Sequence, residues 1–400
     1  MTSIGNETPG SDRLVFIDSL RGLAILGILV MNIQAFGRVE DAYSLPNIHE
    51  PLSTLDRLLH GIGYFLAEQV FVGLLSCLFG IGIWLAAQRA QMAGHDPVVQ
   101  QRRRSIGLLL IGLIHAYLIW TGDILVPYAL AAWILAPSVH WSRRRQWQIG
   151  LAFLAVIPAL SLLEIVLIPA DVRSAVYAAD PNAFTLEIDA LRGAWWQNQS
   201  WRFSRTLEMH LVGIPFGTFW FVGGWMLLGM ALFRLGFAAG QWPRAAYWRC
   251  LLLSVLAGLA FKATSYSYQS FHQFDPETLV LGRGVLSYLG AACLTLSTIC
   301  LAILCWQRWP TFLLGRGLAA IGRLALSNYL LQSLIATSLF YGFGLGWFER
   351  LSFGQLFLVT IGIWLVNAAF TALWLRYFRL GPMEWLWRWL SRRQAPAIRR

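Results

Sequence analysis

The chain has 400 residues, 57% of them hydrophobic and 13% charged, with a net charge of +11. An average soluble domain carries roughly 25% charged residues, so a water-soluble fold of this size is excluded. A disordered chain, which needs low hydrophobicity and high charge, is excluded as well.

A spanning helix takes about 20 apolar residues, and the sequence offers ten apolar segments in chain order: 17–36, 61–86, 105–121, 124–140, 148–169, 211–233, 250–268, 281–305, 318–341 and 355–378. The first carries Asp18 and Arg21 and is followed by no small-residue cleavage site, so it reads as a span rather than a leader. With the N-terminus inside, the inner segments hold 19 basic and four acidic residues, and the outer ones seven basic and 13 acidic. Short basic loops stay cytoplasmic, so the expected fold is an all-α polytopic transmembrane bundle of about ten spans, N-in and C-in. Two outer loops are long, 37–60 and 170–210. The second, with Trp195, Trp196 and Trp201, reads either as an amphipathic helix at the membrane surface or as a plain interfacial cover. Trp385, Trp387 and Trp389 after the last segment suit an inner aromatic belt.

The arginines sit in short stretches between apolar segments, a pattern of topology and not of nucleic-acid binding. The five cysteines lie in or beside apolar runs without metal-ligand spacing and read as small hydrophobes, so no metal is expected. No repeat of 20–50 residues is visible, nor two matching halves with broken helices.

Ionisable residues inside spans are costly and therefore candidates for function. They are Asp18, Arg21, Glu68, His115, Glu164, Lys262, Arg283, Arg323 and Arg376. Asp18 and Arg21, three apart on one helix face, can pair, either as a structural ion pair or with the arginine aimed at an anionic cofactor. Eight residues of helix rise about 12 Å, so His115 and Asp123 meet only if the turn at Gly122 folds back. Asp123 also suits an N-cap for the next helix. A neutral His115 imidazole can transfer protons within the membrane; its alternative is a buried histidine bonded to a neighbouring carbonyl. Asn328 and Gln332, four apart, suit hydrogen-bonded glue between helices.

Several stretches together resemble one family: Asp18 to Ile28 (DSLRGLAILGI) followed by Asn32 and Ile33, Leu78 to Gly82 (LFGIG), His115 with Gly122 to Leu125 (GDIL), Gly322 to Ser333 (GRLALSNYLLQS), and Gly381 to Arg388 (GPMEWLWR). This looks like the YeiB-like family of bacterial inner-membrane proteins, whose carboxy-terminal half is a domain of unknown function. The resemblance implies a single integral membrane domain over 1–400, with amino-terminal helices at 14–169, an extracytoplasmic loop at 170–210 and carboxy-terminal helices at 211–393. More distantly, the family is similar to the transmembrane acyltransferase superfamily, which includes the acyltransferase-3 proteins and the lysosomal heparan glucosaminide acetyltransferase. Those proteins move an acyl group from a cytoplasmic donor to an acceptor across the membrane. Acyltransferase-3 proteins carry a basic residue, ten others and then a histidine on the first span. Arg21 matches the basic position here, and Asn32 stands at the histidine. The lysosomal enzyme also has asparagine there and a histidine farther along the outer loop, for which His49 and His60 are the nearest equivalents. His115 belongs to the YeiB-like pattern itself.

The reading that follows is acyl transfer from acyl-coenzyme A to a small-molecule or glycan acceptor reached from the periplasmic side, without nucleic acid; a homo-oligomer is compatible with it. His115 would be the base, with Asp123 orienting it, and Asn32 would be a donor to the developing oxyanion. Arg21, with its neighbour Asp18, and Arg323 would meet the donor's phosphates. Arg102, Arg103, Arg104 and Arg316 read as ordinary positive-inside topology. The rivals are a small-solute transporter and a membrane protein without chemistry.

Overall fold

The computed structural model describes residues 11–45, 53–178, 181–309, 313–392 and 397–399, and His49 lies outside them. In chain order the α-helices are α1 (Ser11–Gly37), α2 (Thr54–Leu66), α3 (Val70–Met92), α4 (Pro97–Leu118), α5 (Leu125–Ile134), α6 (Arg143–Leu167), α7 (Ala170–Tyr177), α8 (Pro181–Arg192) and α9 (Trp195–Glu208). They continue as α10 (Phe219–Arg234), α11 (Arg244–Phe271), α12 (Thr278–Leu281), α13 (Tyr288–Arg308), α14 (Leu313–Arg323), α15 (Ala325–Phe340), α16 (Phe353–Tyr377) and α17 (Pro382–Arg392). Stretches Met209–Thr218 and Gly282–Ser287 are π-helical. Among the described residues there is no strand, only an isolated bridge between Phe378 and Arg399.

The fold is therefore an all-α multi-pass membrane bundle. Seven helical stretches of the described residues are long and apolar enough to cross a membrane, and α14 with α15 makes an eighth if that bent pair is one span. The departures from ten simple spans have local causes. α4 is 22 residues long, enough for about 33 Å, but Arg102, Arg103 and Arg104 occupy its first turns. The segment expected at 124–140 breaks, with 10 residues of α5 followed by a 3₁₀ turn, Ala136–His140. Pro137 ends α5 because it lacks an N–H and its ring clashes with the carbonyl four residues back. The segment expected at 318–341 is α14 and α15, bent by 83°. The segment at 61–86 begins inside α2 and is interrupted by Gln69, held at φ 59°, before α3.

Two crossings set the centre of the bundle. α3 meets α10 where a Cβ on Gly80 would lie 2.0 Å from the Met226 carbonyl oxygen and one on Gly229 2.1 Å from that of Cys77. α1 meets α14 where a Cβ on Gly22 would lie 2.0 Å from the Leu318 oxygen and one on Gly322 1.8 Å from that of Asp18. Only glycine allows backbones this close, and in lipid such contact supplies the packing that the hydrophobic effect cannot. The apolar window of α1 is 67% buried, against 17% for α6, so α1 is central and α6 faces outward.

The arginine-rich helix ends come together at one end of the bundle. Arg143 at the start of α6 reaches the Arg234 carbonyl at the end of α10 (3.3 Å), and the Arg234 guanidinium lies 4.1 Å from the Trp84 ring centroid of α3. Trp387 of α17 donates to the Arg104 carbonyl at 2.7 Å. The region 170–210, read as an outer loop with an amphipathic helix or as a plain cover, is mostly helical in its described part, with breaks at 178 and 193–194, and α9 runs through the π-helical stretch into α10.

Candidate active site

α4 starts where Asp96 accepts from the backbone N–H of Val98 (2.7 Å) and Val99 (3.3 Å) with Pro97 at the first position, a strong start signal. It stops at Leu118, where Ile119 and Trp120 both donate to the His115 carbonyl at 2.9 Å. A helix end leaves carbonyls without partners, and α9 supplies them. Thr206 donates to Ala116 O (3.2 Å), Gln199 to Tyr117 O (2.5 Å) and Arg202 to Leu118 O (2.8 Å). Arg202 is 1% exposed, so α9 is docked into the protein on this face and is more than a cover on the membrane surface.

Beyond Leu118 the chain folds back. A Cβ on Gly122 would lie 2.4 Å from Trp120 Cζ2, so glycine lets the indole fold over the turn. Trp120 stacks on Phe36 of α1 with centroids 3.9 Å apart and sits edge-on to His115. The reversal brings Asp123 back to His115, with Oδ1 2.7 Å from Nδ1. Asp123 Oδ2 accepts the Val126 N–H at 2.6 Å, so the same carboxylate caps α5. On the other side of the ring, Nε2 lies 2.9 Å from Ser333 Oγ on α15. Tyr329, one turn earlier on α15, packs its ring 5.2 Å from the imidazole and accepts the Ile124 N–H at 3.2 Å.

An ionised carboxylate only accepts, so Nδ1 carries a proton, and the Ser333 hydroxyl, placed between Nε2 at 2.9 Å and the Tyr329 carbonyl at 3.4 Å, donates to Nε2 when the ring is neutral. The side chains of His115 and Asp123 are both 0% exposed. The result is a water-shielded chain from hydroxyl to imidazole to carboxylate. It can withdraw a proton from Ser333 while the carboxylate steadies the imidazolium, the logic shared by hydroxyl nucleophiles on unrelated folds.

Asn32 does not join this chain. It is half-buried on α1, one turn before Phe36, and forms no hydrogen bond with His115, Asp123 or Ser333. Arg21 and Asp18 pair at 2.8 Å with side chains 31% and 23% exposed. The Gly22–Gly322 crossing brings the exposed Arg323 within electrostatic range of Asp18. Asn328 and Gln332 face α16, where Asn328 Nδ2 donates to Thr371 (3.0 Å), Gln332 Nε2 to Asn367 Oδ1 (3.0 Å), and Asn367 Nδ2 to Asn328 Oδ1 (3.0 Å). His60 is buried at α2, away from His115, and Glu68, Lys262 and Arg283 meet one another in a separate cluster. Sequence reasoning missed Ser333 and Tyr329. Their signal was the i, i+4 spacing on the arc of α15 beside Asn328 and Gln332. Among the described residues no three His, Cys, Asp or Glu gather to hold a metal ion.

Comparison with known proteins places residues 232–394 in a family described as "Protein of unknown function (DUF418)". The chain is 32% identical to the "Uncharacterized protein YeiB" of Escherichia coli (strain K12), over 97% of this chain and 98% of the relative. It is 27% identical to the "Uncharacterized protein YxaH" of Bacillus subtilis (strain 168), over 94% of each. A third relative is the "Uncharacterized 39.9 kDa protein in amylase 3'region" of Bacillus acidopullulyticus, 25% identical over 95% of this chain and 94% of the relative. No solved structure matches.

Proposed function

This chain belongs to the YeiB-like family, and from the geometry of its own buried centre we propose that it is an acyltransferase of the bacterial inner membrane, moving an acyl group from cytoplasmic acyl-coenzyme A to an acceptor on the periplasmic side. The observation that carries this reading is the hydrogen-bonded chain Ser333–His115–Asp123, closed to water between α4, α5 and α15. The gathering of arginine-rich ends on one side supports the orientation, with that end cytoplasmic and both termini inside.

In this reading Ser333 Oγ attacks the donor's thioester carbonyl and its proton passes to His115 Nε2. Asp123 holds the imidazolium, and His115 gives that proton to the departing thiolate. An acceptor hydroxyl or amine entering from the other side attacks the Ser333 ester. His115 takes its proton and returns it to Ser333 Oγ. Two half-reactions through one buried serine let donor and acceptor use opposite faces without meeting. Asn32, one turn below Phe36, is the proposed donor to the oxyanion. Arg21 and Phe36 are separated along α1 by about 22 Å at 1.5 Å per residue. The donor's phosphates would therefore stay at Arg21, Asp18 and Arg323 while its long arm carries the thioester inward. Arg323, exposed beside the Asp18–Arg21 pair, suits a phosphate best.

The test is incubation of the purified protein in nanodiscs with radiolabelled acetyl-coenzyme A and longer acyl donors, followed by peptide mass analysis. The expected result is label on Ser333, absent in Ser333→Ala and His115→Ala. Failure to release thiol from any donor, with the protein folded, would refute the proposal. The transporter reading is favoured by one observation, the 83° break between α14 and α15, since broken helices line many transport sites. Solute uptake into vesicles without thiol release would support it instead.

A further inference from the structure

At the arginine-rich end of the bundle, α17 lies docked across α4. Gly107 of α4 makes the contact close, since a Cβ there would lie 3.2 Å from Leu390 Cβ and 3.3 Å from Trp387 Cδ1. Trp387 fixes the level by donating to the Arg104 carbonyl at 2.7 Å. Met383, Leu386, Trp387 and Leu390 pack inward against the core. The arc of α17 that remains is Trp385, Arg388, Trp389 and Arg392, spaced i, i+3, i+4 and i+7. Its two indoles stack with centroids 6.2 Å apart, and Arg388, Trp389 and Arg392 are exposed. A face turned only to water would carry charge without indoles. Indole beside guanidinium suits the headgroup layer, where the ring meets the acyl boundary and the cation meets phosphate.

Four guanidiniums converge here from three helices. Arg104 of α4 lies within electrostatic range of Arg388 and Arg392 of α17 and of Arg89 in the last turn of α3. Its own guanidinium is 5.1 Å from the Trp387 centroid. Among the described residues none of the four forms an ion pair. The nearby acids are committed elsewhere. Asp18 pairs with Arg21 at 2.8 Å. Glu384, in range of Arg388, accepts from the Leu326 N–H at 2.7 Å and from the Ser327 hydroxyl, at the start of α15. The adjoining stretches of sequence, 1–14, 310–314, 393–396 and 400, hold Glu7 and Asp12 against Arg13, Arg393 and Arg400, so they leave the excess of positive charge in place. Like charges gathered this way repel, and an anion among them relieves the repulsion. Below this level the surface is apolar. Leu110 and Ile114, three and seven residues after Gly107 and so on the same face of α4, are exposed.

We infer that α17 and the adjoining ends of α3 and α4 bind an anionic phospholipid of the leaflet at this end. Its phosphate sits among Arg89, Arg104, Arg388 and Arg392, its head group lies beside Trp389, and its chains run along Leu110 and Ile114. The apolar face directly beneath the arginines favours a lipid over a free phosphate compound, which has no chains to place there. Such a site operates whatever reaction the Ser333–His115–Asp123 centre carries out.

The experiment is native mass spectrometry of the full-length protein, delipidated in a neutral detergent and titrated with phosphatidylglycerol or cardiolipin, against phosphatidylcholine of the same chains. Saturable retention of an anionic lipid is expected, with phosphatidylcholine bound far more weakly. Each arginine near an anionic headgroup is worth about fivefold in affinity, so Arg388→Gln/Arg392→Gln should weaken binding by about 25-fold. Both side chains are exposed and the packed face of α17 is untouched, so this variant should fold. Arg89→Gln, on another helix, should cost about fivefold and covers the case in which the double variant does not fold. Arg144→Gln/Arg244→Gln removes the same charge from the starts of α6 and α11 and should change affinity by less than about twofold, because solvent screens charges more than a Debye length away. Coenzyme A in excess should leave the lipid bound. Equal losses in the two double variants would mean general attraction to a basic surface and would overturn the inference. Displacement by coenzyme A would do so too, by making the four arginines a nucleotide site, as would phosphatidylcholine binding as tightly as the anionic lipids.

Discussion

Replacing Asp123 by asparagine tests the buried centre most sharply, because it changes one atom type and the proton inventory together. The carboxylate accepts from His115 Nδ1 at 2.7 Å and from the Val126 N–H at 2.6 Å. An asparagine has one oxygen for these two donors. If that oxygen keeps the α5 cap, its NH₂ faces Nδ1, which must then accept. The imidazole proton moves to Nε2, where it points at Ser333 Oγ, 2.9 Å away, and the serine can no longer pass its proton to the ring. The same carboxylate-to-amide change in a serine protease leaves its histidine in the wrong tautomer and lowers turnover by about 10⁴. Asp123→Asn should therefore lose as much turnover as His115→Ala, for which about 10²–10⁴ is expected of a lost base. Two charge-assisted hydrogen bonds become neutral ones, each weaker by about 1 kcal/mol. The protein should thus lose about 2 kcal/mol and remain folded. Thiol release from acyl-coenzyme A measures the first effect and thermal unfolding the second. The ¹⁵N shifts of His115 report the tautomer independently of activity. A folded Asp123→Asn protein with near wild-type turnover, or with the proton still on Nδ1, would refute the reasoning.

Gly322→Ala places a Cβ 1.8 Å from the Asp18 carbonyl oxygen. It should cost at least the roughly 1–3 kcal/mol of ordinary overpacking, whereas Gly82→Ala, with nothing within 4 Å, should be nearly silent in the same unfolding assay. Glu187 on α8 accepts the Glu40 N–H, and burial together with the Glu40 carboxylate pushes its carboxyl up to about 8. Between the unfolded value near 4.5 and about 8 the folded state holds the extra proton, so stability falls as pH rises through this window. Hydrogen exchange should show α8 loosening toward alkaline pH, and Glu187→Gln should flatten that dependence. Reporter fusions after about residues 95, 143, 242 and 312 should read cytoplasm, and fusions within 175–200 the outside; a cytoplasmic 175–200 would invert the proposed entry sides of donor and acceptor.

What the sequence determined by itself was the solvent and the class of fold. Few charges and long apolar runs leave only helices in a bilayer, since every backbone group must find its partner within the segment. The gathering of basic residues at alternate helix ends was legible for the same reason, as charge and hydropathy are properties of short windows. Asn328 and Gln332 also read correctly as interhelical glue, because i, i+4 spacing alone puts them on one face.

What only the tertiary structure decided depends on groups far apart in the chain. His115 and Asp123 meet because Gly122 lets the turn fold over Trp120, and Ser333 completes the chain from 218 residues away. The breaks at Gln69, after Ile134 and at Leu324 interrupt runs that hydropathy alone reads as continuous. The composition of the 170–210 region suits a surface helix or a plain cover, and only the structure shows α9 held against the protein by the unpaired carbonyls at the end of α4. Hydropathy records what lipid will accept; which polar group satisfies which is set by packing, and no window along the chain contains both partners.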